Sequence, residues 1–218
     1  MLLSGCGGPE RAPLRGGTEH LLLLHGRELR YEERVGEEVK PYTLRLTYSG
    51  GDMVRVFEAQ FRGLDFGRCS FISNRTQVFF ETNRPTTALQ ELPEYREAWV
   101  DEEAKPGDVW LNEDTGTETA FAGYESISVP AGTFSECYKT VTVGSETLLD
   151  SLEVWLARGA IEQGEYDAQM AAAEVVVVRW FASGVGLVRE QIGNSDHVRE
   201  LVAVVRPGTG RVDLPPTE

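Results

Sequence analysis

The clearest pattern in the chain is strict alternation. In Tyr42-Thr43-Leu44-Arg45-Leu46-Thr47-Tyr48, apolar side chains take every second position and Thr, Arg and Thr fill the gaps. That is the period of a strand with one face on a core and the other in water. Ser49-Gly50-Gly51-Asp52 supplies a turn and residues 53–61 resume an apolar-rich run, so the spacing predicts a hairpin. Shorter runs of the same kind fall at 29–35, 68–73, 77–82, 123–129, 137–143, 152–156, 175–182, 187–192 and 198–206. Many short strands separated by turn signals predict an all-β, mainly antiparallel fold: a meander, sandwich or barrel.

Two stretches break this rhythm. Residues 83–105 carry Pro85 and Pro93 among acids and aromatics and read as a long connection with one helical turn. Residues 164–174 end in Gln169-Met170-Ala171-Ala172-Ala173-Glu174, whose alanine content favours a short helix inserted between strands. Neither makes a second domain, and no internal repeat is present. A single domain is expected over 20–206, followed at 207–218 by a tail rich in Pro, Gly and Thr that is expected to be disordered.

At 218 residues the chain can bury roughly 70% of its unfolded surface and needs no cross-link to hold a core. A formal net charge of -14 would repel phosphate backbones and anionic headgroups, which disfavours nucleic acid as a partner and electrostatic docking on a membrane. No apolar run approaches the ~20 residues of a spanning helix.

The N-terminus changes that picture. Met1-Leu2-Leu3-Ser4-Gly5-Cys6 ends in Leu-Ser-Gly-Cys, the lipobox pattern at which bacterial lipoprotein signal peptides are cut and the cysteine is diacylated. A whole signal needs a basic segment and an apolar stretch of roughly 7–15 residues, so residues 1–5 read as the remnant of one. Gly7, Gly8, Pro9, Pro13, Gly16 and Gly17 then make 6–19 a flexible tether. Acyl chains contribute about 0.8 kcal/mol per buried CH₂, so a diacylated Cys6 holds a bilayer without help from the polypeptide's charge. The expected place is the bacterial cell envelope, at the periplasmic face of the outer membrane, with the membrane a partner through lipidated Cys6.

The segment Glu125-Ser126-Ile127-Ser128-Val129-Pro130-Ala131-Gly132-Thr133-Phe134, followed by Cys137, resembles the strand-turn-strand signature of a bacterial envelope family described as a domain of unknown function. Trp180-Phe181-Ala182-Ser183-Gly184-Val185-Gly186-Leu187-Val188 resembles its second signature, and Lys105-Pro106-Gly107-Asp108-Val109-Trp110 its element of a basic residue, Gly and Trp. The three span 105–188, with weaker similarity from about 20 to 206. The chain departs from the family at Ser183, where Pro is commoner, and in the long piece between Leu156 and Val175.

Members of that family are similar to the antiparallel half-barrel of the periplasmic lipoprotein carriers LolA and LolB, and many are lipoproteins. The resemblance therefore implies a curved sheet around an apolar groove. By fold analogy the groove would hold an apolar ligand, a lipid or acyl chain, or a hydrophobic segment of a partner. Phe57, Phe61, Phe79, Trp99, Trp110 and Trp180 are the expected lining. The alternative is a structural or assembly lipoprotein that binds another envelope protein by a sheet edge or by the 83–105 connection. An open groove would favour the first and a filled one the second.

No catalytic constellation stands out, and the chain is expected to be neither an enzyme nor a cofactor or metal protein. His20, His25 and His197 are few and scattered for a metal site. Ser195-Asp196-His197 has the letters of a triad, but consecutive residues in a turn cannot form a relay. The run from Asn112 to Glu118 has a faint likeness to a calcium loop, and a solvated acidic turn explains it equally. Asp101-Glu102-Glu103 reads as a charged loop. With Cys6 assigned to lipid, Cys69 and Cys137 remain: either a disulfide in an oxidising compartment or two small buried thiols.

Overall fold

The alternation of residues 42–48 is realised in one long strand, β4 (Glu38–Gly50), which pairs antiparallel with β3 (Glu28–Val35) before it and β5 (Arg55–Arg62) after it. Tyr42, Leu44 and Leu46 are buried on one face while Arg45 points to solvent on the other. The computed structural model describes residues 15–51, 54–63, 68–83, 95–193, 196–205 and 212–213. Cys6 lies outside these, as do residues 84–94 of the expected connection and most of the expected tail.

The sheet continues outward through β6 (Arg68–Ser73), β7 (Gln77–Asn83) and β8 (Tyr95–Asp101), so β3 to β8 form a meander of neighbours in sequence. A second meander follows: β9 (Val109–Asn112), β10 (Thr117–Val129), β11 (Gly132–Gly144), β12 (Val177–Ala182), β13 (Gly186–Ile192) and β14 (His197–Val205). The two are joined where β14 pairs with β3, with Glu33 opposite Arg199 and Leu29 opposite Val204. A short β15 (Val212–Asp213), within the expected tail, pairs with the end of β14. Among the described residues this makes a 13-stranded antiparallel sheet, curled toward closure, as the all-β reading expects.

Curling brings the two edge strands together. No backbone ladder joins β8 to β9, and side chains bridge the gap instead. The Trp110 indole Nε1–H donates to the Ala98 carbonyl at 3.0 Å, and the Ala98 N–H donates to Asn112 Oδ1 at 2.9 Å. The Asn112 amide then donates to Thr119 Oγ1 at 3.0 Å, which ties the seam to β10. Exposed backbone edges invite pairing with other chains, and here one tryptophan and one asparagine satisfy part of the edge locally.

Both turn signatures act as architecture. β10 ends at Val129, immediately before Pro130, and Gly132 resumes the chain at φ 140°. Gly184 and Gly186, at φ 70° and 112°, flank the reversal from β12 to β13.

The structure corrects two expectations. Residues 152–156 are not a strand but part of a helix, α1 (Glu146–Ala157), whose N-terminus is capped by the Ser145 hydroxyl accepting the Leu148 N–H at 3.1 Å. Leu148, Leu152 and Trp155 recur at helical spacing, which a five-residue window starting at Leu152 conceals. Within 83–105, residues 95–101 form strand β8 in place of the expected connection, because its partner β7 supplies the ladder that sequence alone does not reveal; the expected helical turn is not among residues 95–105, and 84–94 lie outside the described residues. The expected short helix is present as α2 (Gln163–Ala173).

Replacing Asn112, which is 5% exposed, by alanine strands the Ala98 N–H and leaves the Thr119 hydroxyl with Thr142 Oγ1 alone. Asn112→Ala should lower stability by roughly 1–3 kcal/mol and speed amide exchange at Ala98 selectively. Urea melts and residue-resolved hydrogen exchange check this; unchanged exchange at Ala98 would contradict the role given to the seam.

Candidate functional site: the barrel interior

The inward-facing side chains divide into a charged layer and an apolar one. In the charged layer, Glu97 of β8 accepts from Arg179 Nη1 at 2.9 Å, and Arg179 Nε donates to Glu190 at 2.8 Å. Glu190 accepts from Arg199 Nη1 at 2.7 Å, and Arg199 Nε donates to Glu33 at 2.8 Å. His197 Nε2 ends the line 2.9 Å from Glu33. Charges thus alternate along β8, β12, β13, β14 and β3, each held by a bonded neighbour of opposite sign. Arg179 also stacks over Trp99 at 4.4 Å, where the charged layer meets the aromatic one.

Burial penalises the charges of Glu33, Arg179, Glu190 and Arg199, and for Glu190 burial is the largest influence, acting upward. The Arg179 and Arg199 guanidiniums outweigh it and hold the carboxyl below its ordinary value. Glu33 follows the same logic, with burial opposed by the His197 and Arg199 hydrogen bonds. Glu33 and Glu190 are thus both held as carboxylates near neutrality.

The apolar layer is lined by Leu29, Tyr31, Leu44, Phe61, Trp99 and Leu187, among others. It is stoppered by a separate two-stranded hairpin, β1 (Arg15–Gly17) and β2 (Leu22–Leu24). β1 falls inside the stretch expected to be tether. Leu21 and Leu23 are buried to 4% and 1% exposure against the lining. Gly16 lies so close to Phe57 that a Cβ there would come within 2.6 Å of the ring. The stopper is fastened at its turn: the His20 N–H donates to Glu102 Oε1 at 2.9 Å, and the Gly184 N–H donates to the Glu19 carbonyl at 2.8 Å. With Leu21, Leu22 and Leu23 in place, the space open to the centre of a water molecule is ≈ 20 Å³, room for about one water.

The six expected groove residues scatter. Phe61 and Trp99 line the apolar layer, and Phe57 is fully buried under the stopper. Trp110 sits at the seam. Phe79 is half-buried beneath the Arg96 guanidinium, 5.8 Å from its ring, while its neighbour Phe80 takes the inner place and stacks on Trp99 at 4.6 Å. Trp180 is buried on the outer face under Lys139 and Arg189, which lie 5.3 and 5.4 Å from its ring, and its indole N–H donates to Glu125. Phe181 is the one that faces Trp99, at 6.2 Å. What sequence reasoning missed is the stopper, signalled by the unbroken run Leu21 to Leu24, and the ion line, which had no local signal.

Cys69 and Cys137 are buried and not joined to each other. The Cys69 thiol donates to Thr82 Oγ1 at 3.6 Å and the Cys137 thiol to the Phe134 carbonyl at 3.7 Å. Burial pushes the Cys137 thiol up to about 11, far from thiolate chemistry. Each histidine has a local partner: Glu102 for His20, the Tyr48 N–H for His25, Glu33 for His197. No group of three or more metal-ligating side chains occurs among the described residues.

No family model matches the chain, and no curated protein matches it. Two solved structures are similar. One is a lipoprotein candidate from Parabacteroides distasonis, 13% identical, with a TM-score of 0.47, covering 83% of this chain and 95% of that one. The other is a candidate exported protein with a YmcC-like fold from Bacteroides fragilis, 12% identical, with a TM-score of 0.47, covering 84% of this chain and 97% of that one. At this distance neither likeness transfers an activity.

Two outcomes follow from the interior. Glu190→Gln should cost ~3–5 kcal/mol near neutral pH, because it leaves buried guanidiniums short of a partner. The folded-state carboxyl lies below the ordinary value of 4.5, so its contribution is complete above about that pH and is lost as pH falls through the depressed folded value. Urea melts should show the gap between the two proteins narrowing under acid conditions, whereas a pH-independent gap would contradict the account. Leu23→Ala should cost ~2–5 kcal/mol and open a dry cavity. Xenon-induced shifts in NMR spectra would detect it at Tyr31 and Trp99.

Proposed function

We propose that this chain is a non-enzymatic, lipid-anchored protein of the bacterial envelope that works by binding another envelope protein with its outer surface. The observation that best supports this reading is the filled concave face. Sites for small apolar molecules offer ~300–1,000 Å³, against ≈ 20 Å³ here. The hairpin that carries Leu21 and Leu23 occupies the place against this lining that an acyl chain would need.

Apolar side chains do stand in the open on the outside: Val109 and Leu111 on edge strand β9, and Val154 and Trp155 on α1. The anchor reading rests on the lipobox letters that end at Cys6. No described helix is long and apolar enough to cross a membrane, so lipid on Cys6 would supply an attachment that the helices do not.

Metabolic labelling with an alkyne fatty acid tests the anchor, with the protein expressed behind a complete lipoprotein signal sequence. Label should appear on the protein and vanish in Cys6→Ser; equal labelling of both removes the anchor. Native mass spectrometry of the purified domain tests the mode of action, and should show protein free of lipid. Stoichiometric co-purified lipid would replace this reading with the carrier.

A further inference from the structure

The α1–α2 hairpin is an addition to the sheet that contributes almost nothing to the core. It leaves the sheet at the end of β11 and returns at the start of β12, and it is fastened at its root. There the Ser145 N–H donates to the Gly116 carbonyl at 2.9 Å, and the Gly193 N–H donates to the Val176 carbonyl at 2.7 Å. Gly144 lies so close to α2 that a Cβ on it would come within 2.7 Å of the Ala173 carbonyl oxygen. Of the residues in both helices, only Leu152 and Ala173 are buried.

α1 nevertheless carries the pattern of a helix that should be covered. Leu148, Leu149, Leu152, Trp155 and Leu156 fall at i, i+1, i+4, i+7 and i+8, one continuous stripe. Trp155 is 43% exposed and Val154 beside it 44%. Helices of 12 and 11 residues are marginal alone in water, and a half-covered stripe gives them little tertiary support. A third amphipathic helix laid along the stripe would complete the packing, the familiar way a helix pair receives a partner segment.

Charge narrows the partner. Residues 146–173 carry Glu146, Asp150, Glu153, Glu162, Glu165 and Asp167 against the single guanidinium of Arg158. Such a surface repels a second copy of itself and an anionic bilayer, and it complements a basic segment at the rim of an apolar contact.

We infer that the α1–α2 hairpin is the docking element for the envelope partner, and that it receives a basic amphipathic helix whose apolar face covers Trp155. This rests on the partner-binding reading above. Benzophenone photocrosslinking in the anchored full-length protein tests it, with the probe placed singly at position 155, at Val39 on β4, or at Val109 on β9.

Position 155 should yield a protein adduct joined through a Lys/Arg-rich peptide with apolar residues at helical spacing. A synthetic peptide of that sequence should bind the wild type and lose about tenfold affinity, or about 1.4 kcal/mol, in Trp155→Ser, with the melting curve unchanged. Adducts at Val39 or Val109 but not at 155 overturn the hairpin and leave the partner-binding reading intact. An acidic or non-helical crosslinked peptide, or a lipid adduct at 155, also overturns it. Protein adducts at none of the positions overturn both.

Discussion

The line of alternating charges from Glu97 through Arg179, Glu190 and Arg199 to Glu33 is the constraint on which the curled sheet depends. It runs from edge strand β8, across the interior to β12, and on to the junction of the two meanders at β14 and β3. A buried ion line adds little net stability, since desolvation offsets most of its attraction. It is valuable as a register device. A slip of one residue in β12 or β14 would turn Arg179 or Arg199 to the outer face and leave the acids on neighbouring strands buried without partners.

That line also explains the division of the interior. Polar side chains that must meet one another occupy one layer, and Trp99, in contact with both the Arg179 guanidinium and the Phe80 ring, marks where it gives way to hydrocarbon. Beyond Trp99 the lining is aromatic and aliphatic, and it would be an apolar groove if the chain stopped there. It does not stop there: the short β1–β2 hairpin brings its own leucines to the lining. The apolar side chains left exposed stand outside, Val109 and Leu111 on β9 and Val154 and Trp155 on α1 among them.

Legibility followed from how local each cause was. Residues 42–48 could be read because the alternation is complete within one strand, and the strand-turn-strand signatures because Pro130, Gly132, Gly184 and Gly186 dictate their own geometry. The aromatic lining was half legible. In Phe79-Phe80 and Trp180-Phe181, adjacent residues must face opposite sides of a sheet, and which of each pair faces inward is decided by strands that pair with them. Sequence reasoning chose Phe79 and Trp180, whereas the inward members are Phe80 and Phe181. Arg179 and Glu190 carry no local signal, because nothing near either residue reveals that β12 lies beside β13 with those two positions opposed.

The junction of β3 with β14 has a consequence for how the chain is made. The Arg199 to Glu33 contact closes a separation of 166 residues, so the first meander is synthesised long before its neighbour exists. Throughout that interval β3 presents an unpaired edge, and Glu33 has neither Arg199 nor His197, which later hold it. Non-local pairing of this kind is slow, and open edges are prone to join other chains. The chain is thus most vulnerable before β14 exists, and a holding chaperone in that interval would protect it more than any later contact could.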